Sequence, residues 1–446
     1  MKKFTFKGGI HPKENKELSS GSEIQSVKPA SGTYTVPVTM GGAPNTPLVK
    51  EGDSVARGQK ISDGDKFMNC PVHSPVSGKI KKITKCTVTG NLTVPCIVIQ
   101  EDGEGRTDFM PPLDPLKCSK EEALERIRSA GIVGMGGASF PAHVKLNPPQ
   151  DKKIDYVLVN AAECEPYLTC DERLMKETPE KLIDGLAAVL SVSKAYGIIA
   201  LEDNKEYLKP VLEDKIQKAG FSKYMEVRLV KTKYPQGSEK FIVSSCLGTE
   251  IPSAKLPADA GCIICNAGTL CAISEAFREG KPLIERVLTI SGGAVEKPCN
   301  LKVPVGTLIS DLRGNAFNLK EGKAPVKIIS GGPMMGFAMA DDSFPVAKGT
   351  SGVTFLTKEE TSLKEESACI GCGKCINACP MSLNPVLMKR EIQADSLEKS
   401  RKFGLMDCIE CGSCAFVCPA SIPLVQYFRI GKSLLREKMA AEKGGK

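Results

Sequence analysis

A chain of 446 residues is too long for a single hydrophobic core and leaves room for roughly three or four domains. Apolar residues at 41% and charged residues at 25% describe a soluble globular protein, while the absence of Trp and 5% aromatics argue against stacking on nucleic acid. The net charge of +8 is mild for this length and fits a solvated surface, an acidic partner or a membrane face. The opening MKKFTFKGGIHP lacks an apolar signal-peptide core, and no run approaches the ~18–20 apolar residues of a membrane span. The 19 cysteines are therefore expected to be reduced thiols in a cytosolic chain, where clustered cysteines point to metal.

Residues 1–121 read as β-rich. TYTVPVTM, LVKEGDSVARGQKIS and SPVSGKIKKITKCTVTG alternate and carry many turn formers. GDSVARGQ and SPVSGKI resemble the two halves of a biotinyl- or lipoyl-type barrel. A carrier of that kind needs a modifiable lysine on a tight hairpin; the hairpin here reads HSPVSG, so a scaffold is expected. His73 is then structural, and Cys70, Cys86 and Cys96 are ordinary buried thiols.

Residues 122–281 begin with the helical pattern EEALERIRSA and continue into GIVGMGGASFPAHVKL. Gly131, Gly134, Gly136 and Gly137 free the backbone to approach a phosphate, whose oxygens exposed N–H groups can bind. The pattern is not the dinucleotide fingerprint, and a purely structural turn is the competing reading. IDYVLVN then predicts a strand whose C-terminal end carries Glu163 and Glu165, the place where open α/β sheets bind ligands. A helix over KLIDGLAAVLSVSKA, a strand at YGIIAL, a helix over Lys205–Ala219 and a strand at MEVRLV follow. This alternation predicts a parallel, doubly wound sheet.

Residues 282–345 read as a β-grasp unit built from ERVLTISGGAV, VPVGTLISDLRG and PVKIISGGPMMG, with Met334 and Met335 in packing roles. Residues 346–366 read as a charged linker, KEETSLKEE looking exposed. Residues 367–446 hold two runs, CIGCGKCINACP and CIECGSCAFVCP, each C-x2-C-x2-C-x3-C-P at a constant offset, which marks a duplicated unit. Three thiolates from one tight loop grip three corners of a [4Fe–4S] cubane, and in two-cluster ferredoxins the fourth cysteine crosses to the other cluster. One cluster would use Cys369, Cys372, Cys375 and Cys418, the other Cys408, Cys411, Cys414 and Cys379. Gly371, Gly373, Gly412 and Ser413 would let amides reach the sulfides. Zinc is the competing reading, although this spacing is compressed for a tetrahedral site. NPVLMKREIQADSLEKSRKFGLMD predicts one or two helices between the runs, and SIPLVQYFRIGKSLLREKMAAEKGGK an amphipathic, basic C-terminal helix.

GMGGASFPAHVKL, VNAAECEP, KYPQGSEKFIV and CNAGTLCAI stand in the order seen in the flavin- and NADH-binding subunit of respiratory complex I. With FKGGIHP at the start and the paired cysteine runs at the end, essentially the whole chain resembles the RnfC family of Rnf electron-transport complexes. The resemblance implies a multidomain α/β protein with four parts. These are a barrel-sandwich N-terminal domain, a Rossmann-like FMN/NADH domain, a soluble-ligand-binding β-grasp (SLBB) domain and a helical two-cluster ferredoxin-like domain. It implies that Gly134, Gly136 and Gly137 cradle the FMN phosphate and Lys145 neutralises it. Asn160 and Glu163 would hold the flavin side, Glu165 would sit where the nicotinamide nucleotide docks, and Tyr234, Gly237 and Glu239 would line the same pocket. Asn266 and Thr269 would contact the phosphate from a later helix start. Two positions depart from the complex I pattern: Ser139 stands for glycine and Ser238 for glutamate.

The implied function is a peripheral, cytoplasm-facing component of a membrane-bound ferredoxin:NAD oxidoreductase. It would exchange electrons between NAD(H), FMN and the two clusters in company with integral membrane subunits and a ferredoxin-like subunit. A cobalamin reductase with the same flavin, β-grasp and cluster parts is one alternative, though such proteins begin near the glycine loop. A flavin-free electron wire is another, against which the glycines and Lys145 speak.

Overall fold

In the computed structural model, which describes residues 4–361 and 364–444, the strands form four sheets and the C-terminal end is helical. The central sheet is fully parallel, in the order Met225–Val230, Tyr196–Glu202, Tyr156–Ala161, Cys262–Asn266. The inner strands Tyr196–Glu202, Tyr156–Ala161 and Cys262–Asn266 are mainly apolar runs because both faces are covered, while the edge strand Met225–Val230 alternates, with Glu226 and Arg228 partly exposed. Helices Pro179–Ser193 and Ala267–Arg278 bury Leu182, Leu186, Leu270 and Ile273 on one face. Helix Glu239–Leu247 buries Ile242 and Val243 on the other. The first two helices touch backbone to side: a Cβ on Gly185 would stand 1.9 Å from the Leu270 carbonyl oxygen. The strand order reverses between Tyr156–Ala161 and Cys262–Asn266, where Asn160 and Asn266 are register partners at the strand ends. That reversal opens the crevice in which such sheets bind ligands.

The N-terminal barrel joins Thr33–Pro37, Leu92–Glu101, Gly78–Val88 and Ser54–Val55 in one sheet and three short strands in another, around Tyr34, Val36, Ile61, Ile80 and Ile99. It does not begin at the chain start. Residues 4–23 run across the domain of the parallel sheet, and Ile24–Ser26 joins the β-grasp sheet beside Cys299–Pro304. His73 is buried, as are Cys70 and Cys96, whereas Cys86 is only half-buried.

The β-grasp sheet also takes in Gly352–Leu356, between Glu285–Ser291 and Lys327–Ser330. The expected linker over 346–366 is thus corrected: residues 352–356 are a fully buried strand whose partners lie far away in sequence. Glu360 is anchored as well, accepting from the Gly293 amide at 2.9 Å and the Tyr167 hydroxyl at 2.8 Å. Ser362 and Leu363 of the same expectation lie outside the described residues. VPVGTLISDLRG is strand only as far as Pro304 and then turns through a 3-10 segment, Ser310–Leu312. In the C-terminal part, Pro385–Gln393, Leu397–Lys402 and Leu424–Gly444 pack around Met388, Leu405, Phe428 and Leu435. Among the described residues, no helix is long and apolar enough to cross a membrane.

Candidate flavin crevice and cluster loops

Helix Lys120–Ser129 delivers the chain to the glycine loop. A capping box fixes its start, the Glu122 amide donating to Ser119 Oγ at 3.2 Å and the Ser119 amide to Glu122 Oε2 at 2.8 Å. The loop then folds over the N-terminus of Ala267–Arg278. The Met135 amide donates to Thr269 Oγ1 at 2.9 Å, and Asn266 Oδ1 caps the helix by accepting from Gly268 N at 2.9 Å. At Gly137 (φ +110°) an added Cβ would meet nothing within 4 Å, so this edge of the loop is open. Beneath it lies Arg286, 1% exposed. Its Nε donates to Thr350 O at 2.7 Å and its Nη2 to Met135 O at 2.9 Å, while Nη1 has no partner. That Nη1 lies 3.0 Å from where a Cβ on Gly268 would be. A buried cation with an unspent N–H, at a helix N-terminus under an open glycine loop, fits the phosphate of FMN.

The expected polar residues gather at the same crevice, but most are engaged with the protein. Asn160 Nδ2 donates to Gly237 O at 2.7 Å, and Lys145 Nζ pairs with Glu239 Oε1 at 2.6 Å. Glu163 (φ +49°) caps helix Cys170–Glu177, accepting from the Asp171 amide at 2.7 Å. Burial pushes its carboxyl up, against the pull of Lys16 3.8 Å away. Glu165 accepts from the amides of Met334 at 3.0 Å and Met335 at 2.8 Å, so the β-grasp loop covers it. Burial raises its carboxyl to about 7. Tyr234 turns its hydroxyl away from the crevice, to Cys411 O at 2.7 Å. Three residues of this region are not marked by the sequence motifs: Arg286, Asp171 and Lys16. Arg286 left a trace, a cation inside the apolar strand ERVLTIS; Asp171, which accepts from Asn266 Nδ2 at 2.7 Å, left none. Lys16 donates to Glu165 O at 3.0 Å from a segment without periodicity.

The two cysteine runs face each other. Cys379, Cys408, Cys411 and Cys414 line one pocket, together with Leu383, Met388 and Phe428. Burial raises the Cys414 thiol, and the nearby thiolates of Cys408, Cys411 and Cys379 raise it further. Burial likewise raises Cys375, with Cys418 and Cys369 adding to it. Backbone amides already point at sulfur: Glu410 N lies 3.4 Å from Cys408 Sγ and Leu383 N 3.4 Å from Cys379 Sγ. Two groups of soft thiol donors, one enclosed by apolar side chains, suit iron–sulfur clusters. The enclosed group abuts the flavin domain, with Ile10, Tyr234, Ala378 and Cys411 in one buried cluster beside Cys164 and Met334. Cys369 and Cys372 are exposed at the far side.

Three family models match this chain. Residues 4–104 match the RnfC barrel sandwich hybrid domain, residues 127–275 the Nuo51 FMN-binding domain and residues 362–419 the 4Fe-4S dicluster domain. The C subunit of the proton-translocating ferredoxin:NAD(+) oxidoreductase complex of Clostridium ljungdahlii is 43% identical, over 98% of this chain and 96% of its own. The corresponding protein of the Na(+)-translocating complex of Acetobacterium woodii is 40% identical over 100% and 99%. That of the ion-translocating oxidoreductase complex of Rhodobacter capsulatus is 38% identical over 99% and 85%. A crystal structure of an NAD+-reducing [NiFe]-hydrogenase in the H2-reduced state shares the fold, with a TM-score of 0.50 and 18% identity over 69% of this chain and 63% of that one. With an FMN-binding domain, a dicluster domain and this identity along its length, the chain belongs to the RnfC family of ion-translocating oxidoreductase complexes.

Proposed function

We propose that the chain is the peripheral component of a membrane-bound ferredoxin:NAD oxidoreductase through which electrons pass between NAD(H) and partner subunits. The observation that carries this reading is the pocket lined by Cys379, Cys408, Cys411 and Cys414, set against the flavin domain at Tyr234 and Cys164. FMN exchanges electrons in pairs with a nicotinamide and singly with an iron–sulfur cluster, which is the conversion such a chain needs. The protein's share is to bind and orient. Gly134, Gly136, Gly137, Asn266, Thr269 and Arg286 would hold the phosphate, with Lys145 adding charge once it is released from Glu239. Asn160 and Glu163 would face the flavin, and Tyr234, Gly237 and Glu239 would shape the same rim. Glu165 would meet a nicotinamide nucleotide only after the Met334–Met335 loop lifts, because both of its oxygens are taken by that loop. The enclosed thiols Cys408, Cys411, Cys414 and Cys379 would hold an inner cluster, and Cys369, Cys372, Cys375 and Cys418 an outer one open to partners.

We assign residues 122–281 to flavin and nucleotide, 282–356 to the β-grasp cover and 367–444 to the clusters. Partners would be integral membrane subunits and a ferredoxin-like subunit, with the chain on the cytoplasmic face. The test is anaerobic reconstitution with FMN, iron and sulfide, followed by NADH. Loss of the flavin absorbance together with a reduced cluster signal is the expected result. Bound flavin that NADH leaves oxidised would overturn the reading.

A further inference from the structure

We infer that Gly8, Gly9 and Tyr234 form a clamp on both ligand loops of the inner cluster and so fix its place against the flavin domain; the inference rests on the iron–sulfur reading above. The N-terminal segment is first tied to the flavin domain. The Phe4 amide donates to Leu229 O at 3.2 Å, and the Lys231 amide to Phe4 O at 2.8 Å, extending the edge of the parallel sheet. The Phe6 ring stacks on Phe241 at 4.4 Å, and Lys233 lies over Phe6 at 4.7 Å.

From that anchor the chain reaches the first cysteine run. Gly8 and Gly9 are both left-handed, at φ +74° and +77°. A Cβ on Gly8 would stand 2.7 Å from Cys379 O and 2.9 Å from Pro380 Cα, and one on Gly9 2.6 Å from Tyr234 O. No side chain fits at either position. The Gly9 amide donates to Ala378 O at 3.0 Å, and Ile10 and Tyr234 exchange two backbone bonds at 2.9 Å each. Tyr234, 1% exposed, then donates its hydroxyl to Cys411 O at 2.7 Å. One continuous unit therefore grips Cys379 from the first run and Cys411 from the second, the two runs that share the inner site.

These are positioning residues: they touch the backbone of cluster ligands. The Tyr234 hydroxyl donates to the Cys411 carbonyl and not to sulfur, so it acts on the potential by holding the ligand loop, and with it the amides around the sulfurs, in place, and by presenting the positive end of its dipole to the loop. A mere tether between domains would leave the potentials alone.

The test uses the full chain, reconstituted anaerobically with iron, sulfide and FMN, in wild type, Gly8→Ala, Tyr234→Phe and the control Gly21→Ala, where an added Cβ meets nothing within 4 Å. Redox titration followed by electron paramagnetic resonance reads the two clusters separately. The clamp predicts that Gly8→Ala and Tyr234→Phe shift the midpoint of one cluster and leave the other at its wild-type value. In Tyr234→Phe the shift is to more negative potential, and the control titrates as wild type. Should Gly8→Ala bind neither iron nor flavin, it has failed to fold and Tyr234→Phe decides. Full iron with both midpoints unmoved overturns the clamp, as does loss of flavin in Tyr234→Phe without a cluster shift. A wild-type chain that takes up no iron overturns the parent reading instead.

Discussion

The flavin crevice and the cluster pocket are built on opposite principles. In the crevice the polar side chains are already satisfied by one another: Lys145 by Glu239, Asn160 by Gly237, Glu163 by a helix start and Glu165 by two amides. Its shape is held without a cofactor. The cysteine runs are short helical turns, Lys374–Ala378 and Ser413–Phe416, tied at their backbones by Gly9, Tyr234 and Lys432, but their thiols crowd together and raise one another's pKa. The first region is preorganised by the protein, and the second also needs metal to hold its crowded thiols together.

The largest expected effect follows from that dependence. Stripping iron with a chelator should make residues 367–444 open to proteolysis while the rest of the chain stays protected; uniform digestion would erase the contrast. Next comes Arg286, whose Nη1 has no partner among the described residues. Arg286→Met removes a charged hydrogen-bond donor from the phosphate and should weaken FMN binding by about 10- to 100-fold, measured by flavin fluorescence. An unchanged affinity would return Arg286 to a purely structural role.

A third prediction concerns pH. Burial raises Glu165 to about 7, whereas an unfolded glutamate titrates near ~4.3. Between those values the native state holds a proton that the unfolded chain has released, so stability falls as pH rises toward 7. Glu202, also buried and raised to about 7, contributes with the same sign. Glu165→Gln should therefore flatten the slope without abolishing it, a difference of about 3 kcal/mol across the window, read by denaturant melts at several pH values. An unaltered slope would mean that the loop over Glu165 opens in solution. The smallest effect is at Thr269: Thr269→Val leaves the Met135 amide without its acceptor and should cost about 1 kcal/mol of stability.

The two regions also differed in how far they could be read from sequence. Tyr196–Glu202 was legible because a strand covered on both faces is an apolar run bounded by turns, and Met225–Val230 because an edge strand alternates apolar and polar residues. The cysteine runs were legible because ligand spacing is local. Gly352–Leu356 was not, since its partners lie at 289–291 and 327–330 and its neighbours Lys348 and Lys358 suggest a linker. The covering of Glu165 by the Met334 and Met335 amides, and the reach of Gly8 to Cys379, join segments more than 160 residues apart with backbone atoms on at least one side. Sequence patterns record side chains, so such contacts leave little trace.

The crossed sharing of cysteines is the central claim, and single-cysteine variants test it most directly. Cys375→Ser, Cys379→Ser, Cys414→Ser and Cys418→Ser would each be reconstituted and their reduced spectra compared. The account predicts that Cys379→Ser and Cys414→Ser perturb one signal while Cys375→Ser and Cys418→Ser perturb the other. Cys379→Ser grouping with Cys375→Ser would contradict it.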